Sequence, residues 1–289
     1  MLLSTDLHGH TLFSDGRATP EAYVDFRRGI GMRVIAVADH DVLAAVPRAA
    51  RAAAGAGLLF LPALEVTSFL HFGTDRAEQF HVLAYFPPRF ATLPLLRQTA
   101  LFRRGEAVQA KWKAFVLGWM DGLREEERRA IDPDGELEAL APVDFPALQS
   151  MLDRVASRTS LFAAFRDHHV RFWEEDRELF GWTPEEAIEC IRKDGALDVV
   201  AHPGRYRDKE RTRAVLLRAS GIEVYTSRHK AEVAESFRAF AEEHKKCWTA
   251  SSDDHQNARY VRPAAGTPVS TIERILGRAL PIEAILAAP

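Results

Sequence analysis

The sequence predicts an α/β fold in which parallel strands alternate with helices, and three observations carry that expectation. Short apolar runs recur along the chain, bounded by Gly or Pro and separated by helical stretches. Most of these runs end in histidine or carboxylate side chains. The alternation fails between about Arg97 and Gly181, where the pattern is helical throughout. With 289 residues, 47% hydrophobic and 27% charged, the composition is ordinary and the chain can hold one large core with an insertion.

Met1-Leu2-Leu3 leads into Asp6-Leu7-His8-Gly9-His10 and then Ser14-Asp15-Gly16, as expected of a buried first strand that ends at a site. His8 and His10 are two residues apart, so on an extended backbone both imidazoles leave the same face and can grip one cation. Thr19-Pro20-Glu21 starts a helix, with Thr19 as N-cap and Pro20 at the first helical position, running to about Gly29. Val34 to Ala38 is a strand that ends in Asp39-His40-Asp41. Pro47 to Ala54 is a helix, and Leu58 to Leu64 a third strand terminating in Glu65.

Gln79 to Phe86 is a fourth strand, with His81 near its start and Pro87-Pro88 at its end. Pro184 to Arg192 is a capped helix, followed by a strand from Ala196 to Ala201 and by His202-Pro203-Gly204. Gly221 to Tyr225 runs into Thr226-Ser227-Arg228-His229, and a helix from Ala231 to His244 leads to Cys247–Ala250 and Ser251-Ser252-Asp253-Asp254-His255. Seven strands result. A closed parallel barrel gathers the loops after its strands on one face, which would bring His8, His10, Asp15, His40, Glu65, His202, Asp253 and His255 together. His81 fits less well, because it sits early in its strand.

In the helical region Trp112, Phe115, Val116, Trp119 and Leu123 recur at helical spacing and read as core, and Arg124-Glu-Glu-Glu-Arg-Arg as a solvated face. His168 and His169 are adjacent, diverge on a helix, and read as structural or exposed. Residues 97–181 are therefore expected to be a helical insertion in a barrel built from 1–96 and 182–289.

A formal net charge of -3 and a pI near 6.4 give no bulk positive field, so stable duplex DNA binding is not expected. Cys190 and Cys247 form no C-x-x-C or secreted framework and are expected to be reduced thiols without a metal role. The opening residues lack a signal-peptide pattern and the longest apolar run, Ala52 to Leu64, is broken by Pro62, so a cytoplasmic chain with no membrane span is expected.

The strings DLHGHTLFSDG, ADHD, Glu65, FHVLAYF, AHPGRY, GIEVYTSRH and SSDDH, taken in order, resemble the PHP family of metal-dependent phosphoesterases over nearly the whole chain. AHPGRY and GIEV…SRH look most like the bacterial branch of nucleoside 3',5'-bisphosphate phosphatases and 5'-3' exoribonucleases. The resemblance implies a distorted seven-stranded (β/α)7 barrel holding two or three divalent ions. It places His8, His10, Glu65 and Asp253 on one metal, Asp15, His40 and His255 on a second, and Glu65 with His81 and His202 on a third. Mixed imidazole and carboxylate donors suit Mn, Zn or Fe, with Mg a further candidate.

The expected reaction is hydrolysis of a nucleotide phosphate monoester, or of the 5' end of short RNA, by a metal-bridged hydroxide that Glu65 and Asp253 position. Arg158, Arg205 and His229 are candidates to grip a second phosphate, and His229 also to protonate the leaving oxygen. Asp6, Asp39 and Asp41 read as loop-forming carboxylates that orient imidazoles. Two departures from the branch stand out: Arg158-Thr159-Ser160 where Arg-Thr-His is usual, and an acid at Asp254 where an apolar residue is usual. The alternatives are an amidohydrolase, disfavoured because no strand-end Lys is suited to bridge metals, and a noncatalytic metal-binding domain. Oligomeric state stays open.

Overall fold

The computed structural model describes residues 1–156 and 159–287, so the expected substrate contact at Arg158 lies outside the described residues. The strands are β1 (Leu2–Leu3), β2 (Thr5–Asp6), β3 (Val34–Val37), β4 (Leu59–Leu70), β5 (Glu78–Tyr85), β6 (Leu197–Val200), β7 (Gly221–Tyr225), β8 (Cys247–Ala250) and β9 (Thr267–Pro268). β2 to β8 form one seven-stranded sheet in sequence order. Beyond its first and last strands the backbone closes: His10 N donates to Asp254 O at 2.9 Å and Asp253 N to His8 O at 2.9 Å. The sheet is thus a nearly closed α/β barrel.

Two expectations about the strands need correction. The opening apolar run is not the barrel strand: Leu2 and Leu3 pair antiparallel with Pro268 and Thr267 in a separate two-stranded sheet, and Thr5–Asp6 enters the barrel. The third run does not stop at Glu65 but continues as β4 to Leu70, leaving only residues 71–77 before β5. A connection that short cannot cross over to a parallel neighbour, so β5 returns antiparallel to β4 and also pairs antiparallel with β6. The barrel is therefore mixed, with parallel pairing on either side of one reversed strand.

The helices are α1 (Pro20–Gly29), α2 (Val46–Gly55), α3 (Leu93–Leu96), α4 (Ala100–Asp121), α5 (Glu125–Ile131), α6 (Leu148–Val155), α7 (Thr159–His169), α8 (Phe172–Glu175), α9 (Arg177–Phe180), α10 (Pro184–Lys193), α11 (Lys209–Arg218), α12 (Ala231–Glu243), α13 (Val269–Leu276) and α14 (Ile282–Ala287). Thr19 caps α1 through Ala22 N, and Thr183 with Glu186 forms a reciprocal capping box on α10. Alternation along β3 splits the core: Val34 and Ala36 join Leu7, Leu61 and Leu83, while Ile35 and Val37 join Val24 and Ala49 of the covering helices. Burying both faces explains why these strands read as unbroken apolar runs.

The helices between β5 and β6 have a third core around Trp112, Phe115, Val116, Phe165, Phe172 and Phe180. Two buried contacts fasten them to the barrel. Arg104 on α4 bonds Asp41 and donates to Thr67 O at 3.2 Å, and a Cβ on Gly105 would meet Asp41 O at 2.8 Å, so α4 approaches as only glycine allows. An exposed pair, Arg17 Nη1 to Asp153 Oδ2 at 2.7 Å, adds a tie between α6 and the loop that carries Asp15.

Candidate metal centre

The side chains expected to meet do meet, at the mouth of the barrel. His8 and His10 follow β2 with ring centroids 5.2 Å apart. The loop after them turns back sharply, and a Cβ on Gly16 would lie 2.3 Å from His10 C, so glycine there lets Asp15 return beside His10. Asp39 holds this loop by accepting from Thr11 N at 2.7 Å, Thr11 Oγ1 at 2.7 Å and Ser14 Oγ at 2.6 Å.

Glu65 is the centre of the arrangement. Its Oε2 lies 3.0 Å from His8 Nε2, 3.4 Å from His10 Nε2 and 3.3 Å from His40 Nδ1. Its Oε1 lies 3.0 Å from His81 Nδ1 and 3.0 Å from His202 Nε2. His81 reaches it because β5 is reversed: the start of an antiparallel strand lies at the same end as its neighbours' carboxyl ends, and His81 pairs with Thr67. The position that fitted a parallel barrel poorly is thus explained.

A second group gathers on Asp15, whose carboxylate lies 3.5 Å from His10, 3.5 Å from His40 and 3.2 Å from His255. Asp253 lies 3.3 Å from His10 Nε2 and 3.7 Å from both His8 and His255. Donor atoms close enough for one cation occur as His10–Asp15–His40–His255, His8–His10–Glu65 and His40–Glu65–His81. His10 therefore spans two groups, Nδ1 toward Asp15 and Nε2 toward Glu65.

The donor set fits cations. His8 Nε2, His10 Nδ1, Glu65 Oε2, both His81 nitrogens and His202 Nδ1 are buried without a hydrogen-bond partner, an expensive condition unless something charged completes them. Burial opposes charge on Glu65, yet His8, His81, His40 and His202 hold its carboxyl well below the usual range. Asp15 and Asp253 are likewise depressed by histidines despite burial. Burial and His255 push His10 down to about 4, leaving it neutral with one ring nitrogen able to donate a lone pair. Burial also opposes charge on His8, but Glu65, Glu223 and Asp253 raise it well above normal.

The backbone at the site is unusual. His202 and Asp253 have φ of 29° and 53°, in a region non-glycine residues seldom occupy. Each is held by its own amide: His202 N donates to Glu223 Oε2 at 2.7 Å and Asp253 N to His8 O at 2.9 Å.

Glu223 was missed by sequence reasoning. It is fully buried, accepts from His8 Nδ1 at 2.9 Å and from Ser251 Oγ at 2.5 Å, and so joins the ends of β2, β6 and β8. The available signal was one acid inside the apolar run Gly221–Tyr225. Among the described residues Asp6 and Asp41, like Asp39, bond no imidazole, contrary to expectation: Asp6 takes Ser252 N, Arg27 and Tyr260, and Asp41 takes Thr67 N and Arg104. They hold loops, and the carboxylate that orients an imidazole is Glu223. The unexpected acid Asp254 is accounted for by buried Arg27, whose Nη2 donates to it at 2.8 Å.

His229 is corrected as well. Its Nδ1 donates to Val224 O at 2.9 Å and its Nε2 accepts from Gly204 N at 3.0 Å, so neither nitrogen is free to grip a phosphate or protonate a leaving group. Burial also lowers its pKa, which favours the neutral ring. Arg205 is exposed beside it on a 3-10 turn, Pro203–Arg205. His168 stacks on Phe115 with centroids 4.2 Å apart, a packing role as expected.

Two cavities open on the cluster. One, of about 570 Å³, has Asp15, His40 and His81 on its barrel side and Trp112, Phe172 and Trp173 on its helical side. The other, of about 430 Å³, has Asp15, Asp253 and His255 beside Arg228 and Arg259. No lysine lines either one.

Residues 6–112 match the PHP domain. That match contains six of the clustered side chains, His8, His10, Asp15, His40, Glu65 and His81, and the barrel supplies His202, Asp253 and His255 from beyond it. The chain is 28% identical over 272 residues to a 3',5'-nucleoside bisphosphate phosphatase from Chromobacterium violaceum, covering 88% of each chain. It is 28% identical over 215 residues to the 5'-3' exoribonuclease Rnm of Salmonella typhimurium, covering 70% of this chain and 66% of that one. A crystal structure from Bifidobacterium adolescentis, of a protein assigned as a metal-dependent phosphoesterase, has the same fold, with a TM-score of 0.65 at 21% identity over 96% of this chain and 97% of that one. Among the described residues no helix is long and apolar enough to cross a membrane.

Proposed function

We propose that this protein hydrolyses a phosphate monoester of a nucleotide, such as a nucleoside 3',5'-bisphosphate, or removes nucleotides from the 5' end of short RNA. The observation that carries the proposal is Glu65, one buried carboxylate within 3.4 Å of five imidazoles and so built to bridge cations. His8, His10, Asp15, His40, Glu65, His81, His202, Asp253 and His255 would hold two or three Mn, Zn or Fe ions. When bound, such ions lower the pKa of water toward about 7 and neutralise phosphoryl oxygens.

The chain's own groups do the rest. Glu65 and Asp253, both held ionised, orient the attacking water and accept its hydrogen bonds. Residues 97–181 act as a helical subdomain over the mouth of the barrel formed by 1–96 and 182–289, and the wall of Trp112, Phe172 and Trp173 offers a nucleobase apolar, stackable surface beside the cluster. The bisphosphate reading draws support from the relative covered at 88% of its length. The amidohydrolase alternative lacks a lysine at either cavity.

The test is release of phosphate from adenosine 3',5'-bisphosphate and of nucleotides from a short 5'-phosphorylated RNA by Mn-loaded protein, with His40→Ala as control. Metal-dependent release from the bisphosphate identifies a small-molecule phosphatase, and stepwise release from RNA an exoribonuclease of the same chemistry. No release from either with metal bound overturns the proposal.

A further inference from the structure

We infer that Arg228, with Arg259, forms a second anion site on the far side of the cluster, which takes the phosphate of a bisphosphorylated nucleotide that is not hydrolysed. The inference rests on the phosphatase reading and adds the residues that select a second phosphate. Arg228 lies at the end of β7, and its Nε donates to Asp253 Oδ2 at 2.6 Å. That bond fixes the guanidinium in place while about two-fifths of the side chain, 43%, remains exposed. A guanidinium held by one edge still presents N–H groups from its other nitrogens in the fork geometry that phosphate accepts.

The surroundings suit an anion there. Arg228 and Arg259 both line the cavity of about 430 Å³, and Ser227 and Gln256 add polar lining. The acids that share this wall are already engaged: Asp254 by Arg27 at 2.8 Å, Asp253 by Arg228 itself, and Asp15 by the histidines. Arg228 meets its acid, Asp253, through Nε, which leaves the Nη edge of the guanidinium toward the cavity.

The two cavities share Asp15 and Leu148, so they meet at the cluster rather than lying apart. An aromatic cleft on one side and a cationic one on the other, with the reacting centre between, matches a nucleoside bearing two phosphates. The residues first expected to grip that phosphate do not compete for the role: His229 has both nitrogens occupied.

Two measurements test this: KM for adenosine 3',5'-bisphosphate against KM for adenosine 3'-monophosphate, and calorimetric binding of adenosine 5'-monophosphate, each with metal content determined. Arg228→Lys and Arg228→Ala should raise KM for the bisphosphate about 10- to 100-fold more than KM for the monophosphate, and weaken adenosine 5'-monophosphate by a similar factor. Arg259→Ala, which removes no bond to a cluster ligand, should do the same more weakly, about 3- to 10-fold. Equal losses for both substrates that track metal loss would show that Arg228 acts only through Asp253, and would overturn the inference. So would unchanged adenosine 5'-monophosphate binding in both variants. Wild-type protein that hydrolyses neither substrate, yet loses adenosine 5'-monophosphate on Arg228 substitution, would remove the phosphatase reading and leave the anion site standing.

Discussion

Glu223 receives the Nδ1 proton of His8 at 2.9 Å, while the other nitrogen of the same ring faces Glu65 at 3.0 Å. One carboxylate thereby sets which His8 nitrogen is left for a cation, and its second oxygen holds the His202 amide at 2.7 Å. Outer carboxylates of this kind raise imidazole basicity and fix the tautomer. Glu223→Gln keeps the shape but loses the charge, so metal affinity should fall about 10- to 100-fold with secondary structure retained. Equilibrium dialysis with metal analysis, beside circular dichroism, checks this; unchanged affinity would refute the role.

Glu65→Gln should deplete the whole cluster, because this carboxylate touches histidines of every candidate group. His81→Ala should remove no more than one ion, since His81 belongs to a single group, with His40 and Glu65. Metal-to-protein ratios of the two variants, measured after identical loading, decide the matter. Equal ratios would show that Glu65 does not bridge.

The pH dependence has a definite sign. Burial opposes charge on His255, but its bond to Asp15 and the nearby carboxylates lift it to about 9. A folded-state pKa above the ordinary value of about 6.5 stabilises the metal-free fold fully below that pH, and the contribution is lost as pH rises through about 9. A cation must displace that proton, so metal affinity should climb up to about tenfold per pH unit between about 6.5 and 9 and then level off. His8, also raised, moves affinity the same way. Metal titrations at several pH values, with thermal denaturation of the metal-free protein, would show both trends.

Arg104→Ala should destabilise the fold by about 3–5 kcal/mol, because it leaves Asp41 buried without its ion partner. The substitution also frees α4 from Thr67 O, 3.2 Å away. A lower denaturation midpoint with the metal ratio maintained is the expected result. Loss of metal at full stability would place Arg104 in the site instead.

Much of the centre was legible because histidine and carboxylate at strand ends is a local pattern, and because strand and helix periods differ. Glu223 was not legible: a single acid in an apolar strand carries no mark of the partners it meets from β2, β6 and β8. His229 was misjudged for the same reason, since its partners Val224 O and Gly204 N are backbone groups, and no residue type announces them. The reversal of β5 was hidden by an error of register, for ending the third strand at Leu64 rather than Leu70 left apparent room for a crossover.

The sequence by itself determined most of the elements, the apolar faces and the identity of the clustered donors, because these depend on side-chain type and on spacing along one segment. Only the tertiary structure decided that β4 and β5 form a hairpin, that His10 serves two groups, that Glu223 holds His8, and that Arg228 rather than His229 faces a cavity. Each of these is a matter of direction between groups far apart in the chain, such as His8 and Glu223, separated by 215 residues. Direction at that range is set by barrel closure and packing, which no local pattern encodes.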